Sequence, residues 1–128
     1  MHALSDEAPS VVEAACYALG ELGGAGLAAQ EMVTGVVMAL AATARSHLEP
    51  LCREAAVAAL GAIGRVEGLP AVIGAMEDKP AVRRRAAVAL AAFEGREAEA
   101  ALEKAAHDRD WQVRQVAEDL IGDRETPD

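Results

Sequence analysis

The chain has 128 residues, with 12 basic and 21 acidic side chains, a net charge of −9, 52% hydrophobic residues and only 2% aromatics. That apolar share excludes a disordered chain, and the acidic balance opposes nucleic-acid binding, which needs cations to neutralise phosphates. The longest uncharged run, Met32 to Ala44, is 13 residues, against the ~20 that a membrane-spanning helix needs.

Met-His-Ala-Leu is followed at once by Asp6 and Glu7, a start that predicts no secretory signal. Ser10 and Glu13 have capping-box spacing, and the helix they introduce, Val11 to Leu22, meets Gly23-Gly24 at its end. Leu27 to Ala44 carries Val33, Val36, Val37, Leu40, Ala41 and Ala44 on one face, which predicts a second helix with Met32 in its core and Met38 flanking it. The stretch from Thr43 to Pro50 reads equally as a projecting insertion or as the end of a longer helix. Pro50 suits the first turn of the next helix, Cys52 to Ile63, and Gly64 its stop. Leu69 to Met76 follows with Pro70 in its first turn. Asp78 and Pro80 then introduce Val82 to Phe93, ahead of Gly95. Arg96 to Ala106 and Val113 to Ile121 complete seven helices, antiparallel in pairs, and no segment shows the alternation of a strand.

Four of these segments are self-similar. They start at Val11, Cys52, Val82 and Val113, at spacings of 41, 30 and 31 residues. In each full segment the first, fifth, ninth and twelfth positions are apolar, as in Val82, Ala86, Leu90 and Phe93. This is the stripe of a helix with one buried face. The 31 alanines of the chain let neighbouring helices approach towards the ~8 Å end of the usual spacing range. A pair of such helices buries little area, so stability must come from stacking many units on one continuous core.

The Val-Arg-x-x-Ala-Ala-x-x-Leu core, in Val82-Arg83, Ala86-Ala87 and Leu90, resembles a HEAT repeat. The period and the tails Ala18-Leu19-Gly20-Glu21-Leu22-Gly23 and Ala59-Leu60-Gly61-Ala62-Ile63-Gly64 are similar to the short bacterial, phycobilisome-lyase-like variety. The excess of arginine over lysine, ten to two, agrees with a GC-rich bacterial source. Asp108-Arg-Asp-Trp-Gln-Val-Arg114 is similar to the family's inter-helix turn. The resemblance implies an all-α, α-α superhelix of about seven helices in three and a half repeats. Residues 8–122 would form one solenoid domain within 1–128, with flexible tails at 1–7 and 123–128. It also implies that the Val-Arg helices line the concave face and that turn aspartates bond the following arginines. Asp78 with Arg83 and Asp108 with Arg114 match that ladder. Arg53 has no obvious aspartate, and Val12 stands where the first arginine would be.

Helical projection puts Glu13, Tyr17, Glu54, Arg84, Val88, Gln115 and Asp119 opposite the buried stripe. This row is either a groove that contacts a partner, with Tyr17 as its aromatic anchor, or an ordinary solvated face. Arg83-Arg84-Arg85, the one basic run, is either an acidic-peptide or phosphate site, or a ladder arginine beside two solvated neighbours. Trp111 is expected to pack on the preceding outer helix and Phe93 to be core.

No catalytic constellation is evident. His2, His47 and His107 are scattered, Cys16 and Cys52 lie in different registers, and no glycine-rich phosphate loop occurs. The cysteines read as small buried hydrophobes in a reducing, cytoplasmic setting. The expected function is a non-enzymatic protein-interaction module without a cofactor. The alternative that the resemblance implies is a lyase-associated subunit or chaperone-like partner for bilin attachment. The expected partner is a protein or peptide, not nucleic acid or membrane. A basic partner would dock nearer the N-terminal end, because residues 1–44 contain no lysine or arginine. Open repeat ends also predict self-association.

Overall fold

A computed structural model of the chain describes residues 26–125. Six α-helices account for most of the described residues: α1 (Gly26–Ser46), α2 (Pro50–Ile63), α3 (Leu69–Gly74), α4 (Pro80–Ala89), α5 (Arg96–Ala105) and α6 (Trp111–Glu125). Single 3-10 turns lead into α3 at Val66–Gly68 and extend α3 and α4 at Ala75–Glu77 and Leu90–Ala92. No strand occurs among the described residues. The expected helix Val11 to Leu22, with its capping box, Gly23-Gly24 and Cys16, lies outside them.

The helices pack in two layers. α2, α4 and α6 follow one another in the first layer and α1, α3 and α5 in the second, and each odd helix also packs on the even helix after it. This is the expected α-α solenoid.

Local chemistry explains the helix boundaries. Pro50, Pro70 and Pro80 all sit at the first or second helical position, where the missing N–H costs nothing. Asp110 caps α6, its Oδ1 accepting the N–H groups of Gln112 and Val113 at 2.9 and 3.2 Å. Gly64 ends α2 with φ +70°, and its N–H donates to the Leu60 carbonyl. The expected stop at Gly95 falls elsewhere. The turn that extends α4 finishes at Ala92, and Gly95 instead precedes α5.

The repeated stripe is the core. Val82, Ala86, Leu90 and Phe93 are buried, as are Cys52, Ala56 and Leu60 of α2 and Val113 and Ala117 of α6. At Gly61 the backbones of α2 and α4 come close together: a Cβ there would lie 2.7 Å from the Cβ of Ala89 on α4.

The long first spacing is a long outer helix, not an insertion. α1 runs unbroken for 21 residues, and a short turn follows in which the Glu49 N–H donates to His47 Nδ1 at 3.0 Å. This helix is longer than the uncharged run suggested. By length and composition alone it would suffice to cross a membrane. In the fold, its Val33, Val36, Val37, Leu40, Ala41 and Ala44 are buried, as the apolar face of a core helix would be.

Three expectations are corrected. Met32 is 55% exposed, because the buried stripe of α1 starts one residue later at Val33. Trp111 is 64% exposed, since it occupies the first position of α6 and faces outward from the stack. Residues 123–125 are the last turn of α6 rather than a tail. That turn carries a function in the fold: Arg124 Nη2 donates to the carbonyls of Leu90 and Phe93 at 3.1 and 2.6 Å. These carbonyls lie in and just after the turn that extends α4, where the Leu90 carbonyl also accepts the Phe93 N–H at 3.1 Å. Arg124→Ala is expected to cost about 1–2 kcal/mol, read as a lower urea midpoint with an unchanged slope.

Candidate binding surface and the arginine–aspartate ladder

Each ladder arginine starts at the same helical register, and its guanidinium reaches in two directions. Arg53 uses Nη1 to bond the carbonyls of His47 and Leu48 in its own turn, at 2.7 and 3.3 Å. Its Nε and Nη2 grip both oxygens of Asp78, at 2.8 and 3.0 Å. Arg83 repeats the pattern. Its Nη1 donates to the Asp78 carbonyl at 2.8 Å, and its Nε and Nη2 grip Asp108, both at 3.0 Å. Bidentate pairing of this kind suits the planar guanidinium.

The carboxylate pairings differ from the expected Asp78 with Arg83 and Asp108 with Arg114: each is shifted by one unit. Asp78 meets Arg83, and Asp108 meets Arg114, only through backbone carbonyls. Each carboxylate instead belongs to the arginine 25 residues earlier. Arg53, which has no aspartate in its own turn, finds one in the next. The physical reason is direction. The arginine side chain extends along the layer towards the following helix, while its own turn offers only main-chain oxygen.

Burial pushes the carboxyls of Asp78 and Asp108 up, but hydrogen bonds from Arg53 and Arg83 and from the N–H groups of Lys79 and Asp110 more than offset it. Both therefore end below the usual carboxylate range. The hydrogen bond to Asp78 likewise raises Arg53.

The row expected to face a partner divides. Between α2 and α4 lies a depression of about 400 Å³, lined by Ala58, Gly61, Ala62, Arg85, Val88 and Ala91, among others. Val88, expected in the row, is 56% exposed on its wall. Glu54 flanks it at one remove, paired with Arg85 at 3.6 Å. Gln115 and Asp119 are exposed on α6 and bond each other at 3.0 Å, outside the depression. Arg84 is half-buried and its Nε has no hydrogen-bond partner; the solvent-facing position is Arg85, one residue on. The basic run thus contains a ladder arginine, a half-buried one and a single exposed one, which does not form a phosphate site. Glu13 and Tyr17 lie outside the described residues.

A second depression of about 380 Å³ opens beside Met76, Lys104, His107 and Asp108, where Lys104 bridges to Glu77 at 2.9 Å. No cluster of three or more histidine, cysteine, aspartate or glutamate side chains suited to a metal occurs among the described residues.

A family model described as HEAT repeats matches residues 37–122, and one described as HEAT repeat matches residues 1–24. No curated protein and no solved structure matches the chain. The first match spans α2 to α5 together with the C-terminal part of α1 and most of α6, and with the two-layered stack and its repeating arginine register it establishes that this chain belongs to the HEAT-repeat family.

Proposed function

We propose that the chain holds a protein partner along the exposed face of α2, α4 and α6, with the depression between α2 and α4 at its centre. HEAT repeats in general mediate protein–protein interaction and scaffolding. The observation that carries the reading is Val88, a large apolar side chain standing exposed beside a floor of alanine and glycine. An apolar side chain of the partner would fill that space, while Arg85 and Glu54 would offer charge at the edge. The rigid stack presents these groups already ordered, so little side-chain freedom is lost on binding.

Binding of this kind involves no chemical step, and we read the chain as a non-enzymatic module. The bilin-attachment reading gains nothing from the described aromatics, since Phe93 is buried and Trp111 does not line the depression. For a partner captured from the native host and purified, Val88→Asp with Arg85→Glu is expected to weaken affinity by about tenfold or more. The helical melting curve should stay in place. Unchanged affinity would remove the depression as the binding site.

A further inference from the structure

Three successive arginines of α4 stand in three different states. Arg83 is satisfied on every side, with Nη1 on the Asp78 carbonyl and Nε and Nη2 on Asp108. Arg85 is exposed and pairs with Glu54 at 3.6 Å. Arg84, between them, is half-buried, and among the described residues its side chain makes no hydrogen bond or ion pair. Its Nε is closed off by protein and lacks a protein acceptor. The matching positions of the neighbouring helices are both engaged, Glu54 with Arg85 and Gln115 with Asp119. A guanidinium cannot shed its charge, so an unmatched donor at this depth costs the fold stability. A group of this kind calls for an explanation, and a site that a ligand completes is one.

Position and chemistry say what would complete it. A guanidinium only donates, and its planar fork matches a carboxylate. Arg84 precedes Val88 by four residues on α4, so the two side chains share one side of the helix with Cβ atoms ~5–6 Å apart. Val88 borders the depression proposed above as the seat of an apolar partner side chain. A group on Arg84 and a side chain beside Val88 are therefore within reach of one short segment. A polyanionic partner fits poorly. The chain carries a net charge of −9, and Glu118 and Asp119 are exposed on the adjoining α6, a field that repels a run of negative charge. A single carboxylate next to an apolar residue meets far less of that repulsion.

We infer that the partner segment carries one aspartate or glutamate about a helical turn from its apolar anchor, and that Arg84 receives that carboxylate. The inference rests on the docking surface proposed above and specifies its partner. It also separates the roles of neighbouring arginines: Arg83 holds the stack, and Arg84 reads the partner.

The test titrates the full chain with alanine-rich helical peptides, made in both sequence directions. Each carries a leucine and, four residues away, either glutamate or glutamine. Binding is followed by NMR of the arginine Nε–H signals, with that of Arg84 identified by its loss in Arg84→Met. In one direction the glutamate peptide is expected to bind about tenfold more tightly than its glutamine counterpart, the scale of one hydrogen bond to a charged group, and to move the Arg84 signal. Arg84→Met should abolish that difference and leave the affinity for the glutamine peptide in place. It should not lower the urea midpoint, because no bond of the fold is lost. Val88→Asp should weaken both peptides. Equal affinity of the wild type for the two peptides, with Val88→Asp still weakening both, overturns the inference and leaves the depression as a docking site. Binding of neither peptide overturns both readings. A lowered urea midpoint in Arg84→Met also overturns the inference, since Arg84 would then serve the fold.

Discussion

Asp108→Ala will cost this chain about 3–5 kcal/mol, the scale for removing one partner of a buried ion pair. Arg83 is 6% exposed, and without Asp108 its Nε and Nη2 would be left as a charge largely removed from water. Such a loss is a large share of the ~5–15 kcal/mol that holds a typical domain together. Urea unfolding followed by circular dichroism will measure it. Two further substitutions, made together, separate the pair's net contribution from the cost of orphaning a charge. Arg83→Met with Asp108→Leu should recover most of the loss, because no charge then remains buried. Retention of the full deficit in that double variant would show that the pair itself, rather than the orphan, dominates.

The same rung sets a pH dependence. Asp78 and Asp108 have folded-state values below the ~3.9 of an unperturbed aspartate, so the unfolded chain takes up protons first as the pH falls. Their contribution is therefore fully present above that value and is lost as the pH drops through it towards the lower folded values. Asp78→Asn with Asp108→Asn should flatten this acid limb of the stability curve, while lowering stability at neutral pH.

Gly61→Val is expected to destabilise by about 3 kcal/mol, the upper end of the range for forcing bulk into a packed contact. The Cβ alone would stand 2.7 Å from the Ala89 Cβ and 2.8 Å from its Cα. The second of these is backbone, so no rotamer change relieves it and α2 must move away from α4. Gly61→Ala should fall lower in the same range. Adding Ala89→Gly removes the nearest atom, at about 1 kcal/mol for glycine inside a helix. A double-mutant cycle over the two positions will then show coupling, with Ala89→Gly less harmful in the Gly61→Ala background than in the wild type. Additive losses would mean that α2 and α4 do not meet at this point in solution.

Much of this architecture is legible in the chain itself. The first, fifth and ninth positions of the repeated segment are buried in α2 and α4 because a 3.6-residue period with one apolar face has only one way to pack. Proline and glycine punctuation marks most of the helix boundaries for equally local reasons. What sequence reasoning missed is set by neighbours distant in the chain. The identity of the ladder arginines is written in their register, but their carboxylates arrive from the next unit, and no local pattern reveals which. Met32 and Trp111 are large and apolar, yet they sit one and two residues ahead of the first buried position of their helices, Val33 and Val113, at an edge only packing defines. Gly61 is visible in the sequence as a small residue near a helix end. Its closer role, contact with Ala89, depends on the distance between helices. In the candidate binding surface, Val88 is found by projection alone, whereas Arg84 and Arg85 exchange roles because a single residue turns a helix by about 100°.

Rungs that reach forward also give synthesis a direction. As the chain leaves the ribosome, Arg53 emerges already able to bond its own turn, but its carboxylate follows 25 residues later, and that of Arg83 after the same delay. Each unit is thus locked by the one made after it. The nascent stack hardens from its N-terminal side, with its newest helix always the least secured.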